Sequence, residues 1–168
     1  MSDFALQATA ASSTSPVRLY TAEERRRRDA SPWTIVQAVL APVQFLIFAV
    51  SLGLVVWCLK TGDHYTAAVA SVVVKTIALY AIMITGAIWE HDVYGRYLFA
   101  PAFFWEDMVS MLVLALHTAY LASLAFHLLA PHALLVLALA AYATYAVNAA
   151  QYIIKFRMAR RDRAEAAA

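Results

Sequence analysis

Cysteine and charge are the two scarce things in this chain of 168 residues. The single cysteine, Cys58, excludes an internal disulfide and any metal site built from thiolates, and its thiol reads as a small buried hydrophobe. Charged residues make up 14% of the chain against 63% hydrophobic, with a mean hydropathy of +0.65. A soluble domain of this size needs far more polar surface to cover itself, so the composition points to the bilayer as solvent. No internal repeat is visible, and the apolar runs leave no room for a separate soluble domain. The run behind the first arginines is much longer than the hydrophobic region of a signal peptide, so the first helix is expected to be retained.

The charge that is present is segregated. Arg25, Arg26, Arg27 and Arg28 stand near the start, and Lys155, Arg157, Arg160, Arg161 and Arg163 near the end, although the formal net charge is only +2. Such clusters bind nucleic acid in other settings; flanking apolar spans they set membrane topology, and no nucleic-acid partner is expected. Four spans follow, at about 33–59, 65–89, 108–129 and 133–154, each long enough to cross a ~30 Å hydrocarbon core. Thr61-Gly62-Asp63 and Ala130-Pro131-His132 are the short breaks, and Pro42 is expected to kink the first helix rather than end it. The expected fold is all-α, an integral membrane bundle of four transmembrane helices over residues 32–156. A loosely ordered tail (1–31) precedes it and a basic tail (157–168) follows. Four crossings put both termini on one side, and the positive-inside rule makes that side cytoplasmic, together with the long second connection.

Each span also carries polar residues at helical spacing. Gln37, Gln44 and Ser51 are seven apart and share a face; Lys75 and Glu90 fall within about 60° of one another; Glu106, Ser110 and His117 stack, as do Thr144, Asn148, Gln151 and Lys155. Interhelical hydrogen bonding accounts for residues such as Gln37, Ser51, Ser110 and Thr144. Lys75 and His117 fall near mid-membrane, where an ionisable group costs about 2.5–3.5 kcal/mol on insertion scales, so each is a functional candidate. His64, His127 and His132 sit near the outer surface.

The stretch "IWEHDVYGRYLFAPAFFWEDM", Ile88 to Met108, gathers what the rest avoids. A plain loop on the positive side of a membrane is basic, yet this one sets Glu90, Asp92, Glu106 and Asp107 against Arg96 alone. The carboxylates meet the bilayer at one depth beside Trp89, Tyr94, Tyr97, Phe103, Phe104 and Trp105. Apolar surroundings and like-charge neighbours help a carboxyl group keep its proton, which suits general acid–base chemistry on a flat, apolar substrate. An ordinary interfacial loop, with Glu106 and Asp107 complementing a helix dipole, remains the alternative.

The blocks "RRDASPWTIVQAVLAPVQFLIF", "ASVVVKTIALYAIMITGAIWE", "GRYLFAPAFFWEDMVSMLVLALHTAYL" and "NAAQYIIK" resemble the vinyl bacteriochlorophyllide hydratases of phototrophic bacteria, from about Tyr20 to Arg157. The resemblance implies a hydro-lyase that adds water to the C3 vinyl group (C2 in older numbering) of chlorophyllide a or its bacteriochlorin counterpart, giving a 1-hydroxyethyl group in bacteriochlorophyll a synthesis. It implies no redox cofactor, a place in the bacterial inner (intracytoplasmic) membrane among lipid, and other pigment-biosynthesis enzymes as neighbours. On this reading Glu106 is the acid, with Asp107 or Glu90 the base or cation stabiliser and His91 an alternative base. Arg96 is a partner for the substrate propionate, and Trp89, Trp105 and Tyr97 are platforms for the macrocycle. Lys75, Asn148 and Gln151 are further binding residues, and His117 is either a ligand of the substrate's magnesium or a partner within the bundle. A non-catalytic tetrapyrrole carrier and a small transporter relaying ions through Lys75 and His117 are the rival classes.

Overall fold

A computed structural model describes residues 19–166, with side chains through residue 160. Five helices follow in order: α1 (Ala22–Ala30), α2 (Pro32–Thr61), α3 (Tyr65–Tyr94), α4 (Phe104–Ala125) and α5 (Pro131–Ala166). The last four are long and apolar enough to cross a membrane, the shortest having 22 residues, or about 33 Å at 1.5 Å per residue. α2 packs along α3 and α4 along α5, and α2–α5 and α3–α4 contacts close an up-down-up-down bundle. Large apolar residues such as Leu46, Val50, Ile77, Ile84, Leu112 and Val147 point outward, as lipid-facing positions do.

The interior is correspondingly polar. Gln44, Ser51, Lys75, Thr76, Glu90, Glu106, Ser110, His117 and Asn148 are all buried, which places the four polar stripes against one another. Ser51 Oγ lies 2.6 Å from Ser71 Oγ and 2.5 Å from the Tyr142 hydroxyl, joining α2, α3 and α5. Gln37 Nε2 donates to Thr85 Oγ1 at 2.7 Å. Without water in the hydrocarbon core such bonds are what polar side chains have, and each helps lock helix register. Apolar layers of Phe48, Val55, Val72, Leu79, Val113 and Leu135 separate them.

Several boundaries differ from the sequence reading. Residues 1–18 of the expected tail lie outside the described residues, but Ala22–Ala30 is a helix, not a loose tail. Thr21 and Glu24 cap it reciprocally, Thr21 Oγ1 accepting from Glu24 N at 3.2 Å and Glu24 Oε2 from Thr21 N at 2.7 Å. Glu23, its carboxyl held below the usual range by hydrogen bonding to Arg27 and the charge of Arg26, adds one-turn ion pairs at 3.0 and 3.1 Å. The third span begins four residues earlier than expected, at Phe104, because Glu106 and Asp107 belong to the first helical turn, where the helix dipole favours negative charge. It ends at Ala125, and the chain turns through His127 at φ 51° before Pro131. α5 continues past the expected span end into the basic segment, to Ala166.

Candidate active site

At the end of the bundle that carries α1 and the last turns of α5, three of the link's four carboxylates are buried together: Glu90, Glu106 and Asp107. The fourth, Asp92, is exposed and accepts a 2.7 Å bond from Ser31 Oγ, fastening α3 to the start of α2. α3 stops at Gly95, whose φ of 74° lies in the left-handed region that glycine enters at little cost. The chain turns again at Phe99, φ 60°, and so aims two successive backbone N–H groups inward. Phe99 N donates to Asp107 Oδ2 at 2.7 Å and Ala100 N to Glu90 Oε1 at 2.5 Å.

The Glu90 and Asp107 carboxyl groups are thus buried under the same turn, seated on adjacent N–H groups of the link. Two like-charged carboxylates crowded in a dry site repel, a cost that one proton held between them would relieve. Glu106 faces away from this pair toward α5, where Lys155 Nζ stands 2.7 Å from its Oε2. Lys155 donates as well to the Ala102 carbonyl and lies 4.9 Å from the Phe103 ring centroid. One turn deeper, Asn148 Nδ2 donates to Ser110 Oγ at 2.8 Å. The walls are aromatic: Phe103 is buried, edge-on to Trp89 at 5.6 Å and stacked near Tyr152 at 6.1 Å. Tyr20 stacks on Tyr94 at 6.0 Å and joins Val93 and Phe103 in a small second core, so the segment before α1 closes this end.

The other sequence candidates are dispersed. His91 is exposed and stacks on the exposed Tyr97 ring at 4.3 Å; Arg96 is exposed and forms no ion pair with the described residues. Trp105 is 71% exposed, whereas Trp89 is half-buried and donates from Nε1 to Thr34 Oγ1 at 2.9 Å. Gln151 is half-buried with its Oε1 lacking a hydrogen-bond partner, as does Asn148 Oδ1. Lys75 and His117 are both 0% exposed, in the packed middle of the bundle. Lys75 is fifteen residues from Glu90, about 22 Å along its helix, and His117 eleven from Glu106, about 16 Å. Lys75 Nζ has no hydrogen-bond partner and lies 3.6 Å from the Tyr145 ring centroid. His117 Nδ1 meets the Val113 carbonyl at 2.8 Å, and its Nε2 is unpartnered. Among the described residues no group of three His, Cys, Asp or Glu side chains is placed to hold a metal ion.

Two features of the site escaped sequence reasoning. Lys155 was visible only as the end of the Asn148–Gln151–Lys155 stripe, and its partner Glu106 follows from pairing the α4 and α5 stripes end to end. The Phe99 and Ala100 N–H groups leave no mark in side-chain chemistry and depend on a left-handed turn at a phenylalanine.

A bundle of four membrane-length helices with buried carboxyl groups gathered at one end defines a small multi-pass membrane protein. Residues 20–158 match the family model described as 2-vinyl bacteriochlorophyllide hydratase, and the chain belongs to that family. It is similar to the 2-vinyl bacteriochlorophyllide hydratase of Cereibacter sphaeroides, with 62% identity over 146 residues, 86% of this chain and 90% of that one. The protein of the same name in Rhodobacter capsulatus is 61% identical over 142 residues, 84% of this chain and 82% of its own. No solved structure matches the chain.

Proposed function

We propose that this protein adds water to the ring vinyl group of a chlorophyllide or bacteriochlorophyllide, and that the Glu90–Asp107 pair supplies the proton. The names of its relatives support the reaction; the burial of both carboxyl groups on successive N–H groups of the link is the observation that carries the residue assignment. The pair gives a proton to the terminal vinyl carbon, which becomes a methyl group. The positive charge forms on the carbon attached to the ring and spreads into the macrocycle. A water oxygen bonds to that carbon and loses a proton to the carboxylate just formed, which restores the pair and leaves a net gain of one water. The vinyl group protrudes from the macrocycle's edge, so only that edge need reach the carboxyls while the flat face lies against exposed rings such as Tyr97, Phe104 and Trp105. Arg96, exposed on the same link, is available for the propionate. Glu106, the sequence's first choice for the acid, is committed to Lys155 and serves elsewhere in this reading. The arginine clusters orient both termini, and with them the site, toward the cytoplasm of the bacterial inner membrane.

The test supplies purified protein in lipid nanodiscs with a vinyl chlorophyllide and no other reagent. The product gains one water in mass, and in D2O carries one deuterium on its methyl group. Glu90→Gln and Asp107→Asn each keep an amide oxygen for the link N–H and lower turnover by about 100-fold or more, the usual worth of a positioned acid. Wild-type turnover in both variants refutes the pair as donor, and pigment that binds unaltered to the wild type identifies a carrier instead.

A further inference from the structure

We infer that Lys155 is a positioning residue for this reaction, holding Glu106 and the link so that Glu90 and Asp107 stay paired; this rests on the Glu90–Asp107 reading above. Three acidic side chains from two helices are buried at this one end of the bundle, and in such surroundings like charges repel strongly. Lys155 is the cation that meets them, at 2.7 Å from Glu106. Its reach goes further than charge. The same ammonium donates to the Ala102 carbonyl, and Ala102 follows closely on Phe99 and Ala100, whose N–H groups hold Asp107 and Glu90. One cation on α5 therefore fixes both the third carboxylate and the loop that seats the other two. With Glu106 neutralised, the proton shared at this end belongs to the Glu90–Asp107 pair. With Lys155 gone, Glu106 becomes a buried acid without its partner, free to compete for that proton, and the link loses its tie to α5.

Two double variants separate this role from simple support of the fold. Lys155→Met is expected to lower kcat about 100-fold, the scale on which a small misplacement of reacting groups is felt, with a much smaller change in KM. Adding Glu106→Gln removes the stranded carboxylate, and kcat is expected to recover at least tenfold over Lys155→Met alone. Where Lys155→Met does not accumulate in the membrane, the charge reversal Glu106→Lys with Lys155→Glu is read in its place, and it is expected to exceed each of its single variants at least tenfold. Wild-type kcat in Lys155→Met, a Lys155→Met/Glu106→Gln variant no more active than Lys155→Met alone, or a charge-reversed variant no more active than its singles overturns the inference. Glu106→Gln as inactive as Glu90→Gln overturns it too, by showing that Glu106 acts on the substrate. Glu90→Gln tests the parent reading separately: full turnover there removes the donor pair whatever the Lys155 variants do.

Discussion

Replacing Lys75 by methionine weighs the mid-bundle lysine against the membrane it sits in. Lys75 is 0% exposed, and among the described residues its Nζ has no hydrogen-bond partner and lies 3.6 Å from the Tyr145 ring centroid. A cation over an aromatic face contributes about 0.5–2 kcal/mol. Holding a charged lysine at mid-membrane costs about 2.5–3.5 kcal/mol on insertion scales. Methionine has similar length, packs on the same ring through its thioether and carries no orphaned donor. The difference predicts that Lys75→Met stabilises the bundle by about 0.5–3 kcal/mol, or about 1–12 °C in midpoint for a chain of this size. The assay is thermal or SDS-titrated unfolding in micelles followed by circular dichroism, with turnover measured on the same preparation. A variant destabilised by more than about 1 kcal/mol refutes the reasoning, since it requires Lys75 to have a strong partner; that scale is the cost of stranding a buried polar group. A variant that is more stable but inactive identifies a lysine kept for function at the expense of stability.

Two further outcomes follow from named contacts. Ser51→Ala removes the hydroxyl shared by Ser71 and Tyr142 and strands the buried tyrosine, so unfolding in micelles should show a loss of about 1–3 kcal/mol, partly recovered by adding Tyr142→Phe. Burial pushes the Tyr20 phenol above its ordinary value of 10.0, against the opposing charge of Arg28, whose guanidinium lies 4.7 Å over the ring. A raised value means that the docked segment favours the neutral phenol, so its contribution is complete below pH 10.0 and is lost as pH rises through the higher folded value. Tryptic cleavage within Arg25–Arg27 should therefore accelerate above that pH in wild type and lose that dependence in Tyr20→Phe; an identical pH profile in the two proteins refutes it.

The architecture was legible because its cause is crude and strong. Runs of twenty or more apolar residues specify membrane helices by length alone, and polar residues seven or eleven apart specify which face turns inward. Gln44, Ser51, Lys75, Ser110, His117 and Asn148 accordingly all lie in the interior. What the pattern could not resolve was where helices begin and how the link folds. Phe126 to Leu129 continues an apolar run that reads as helix, but the chain has already turned there, and nothing in the residue types marks it. α1 had a readable signal, the Thr21–Glu24 capping box, which the adjacent arginines obscured by suggesting a solvated tail. The carboxylate cluster was visible as composition, but which carboxylates touch was not. That depends on the left-handed turn at Phe99 and on Lys155 approaching from a helix forty-nine positions away.

The link itself explains why a membrane protein would gather acids here. A connection that leaves α3 at Gly95 and re-enters at Phe104 must bury backbone N–H groups at the edge of a bilayer, where an unsatisfied donor costs several kcal/mol. Glu90 and Asp107 each satisfy one such group, a structural task that one oxygen of a carboxyl performs. An amide oxygen performs it equally well, so glutamine and asparagine would suffice if capping were the whole task. The carboxyls bring two further oxygens, and on the proposed reading those hold the proton that is passed to the substrate. Fold and chemistry are therefore separable at these two positions: Glu90→Gln and Asp107→Asn keep the caps and delete the proton. A pair that served only the fold would tolerate both changes without loss of turnover, whereas a pair that hydrates a vinyl group tolerates neither.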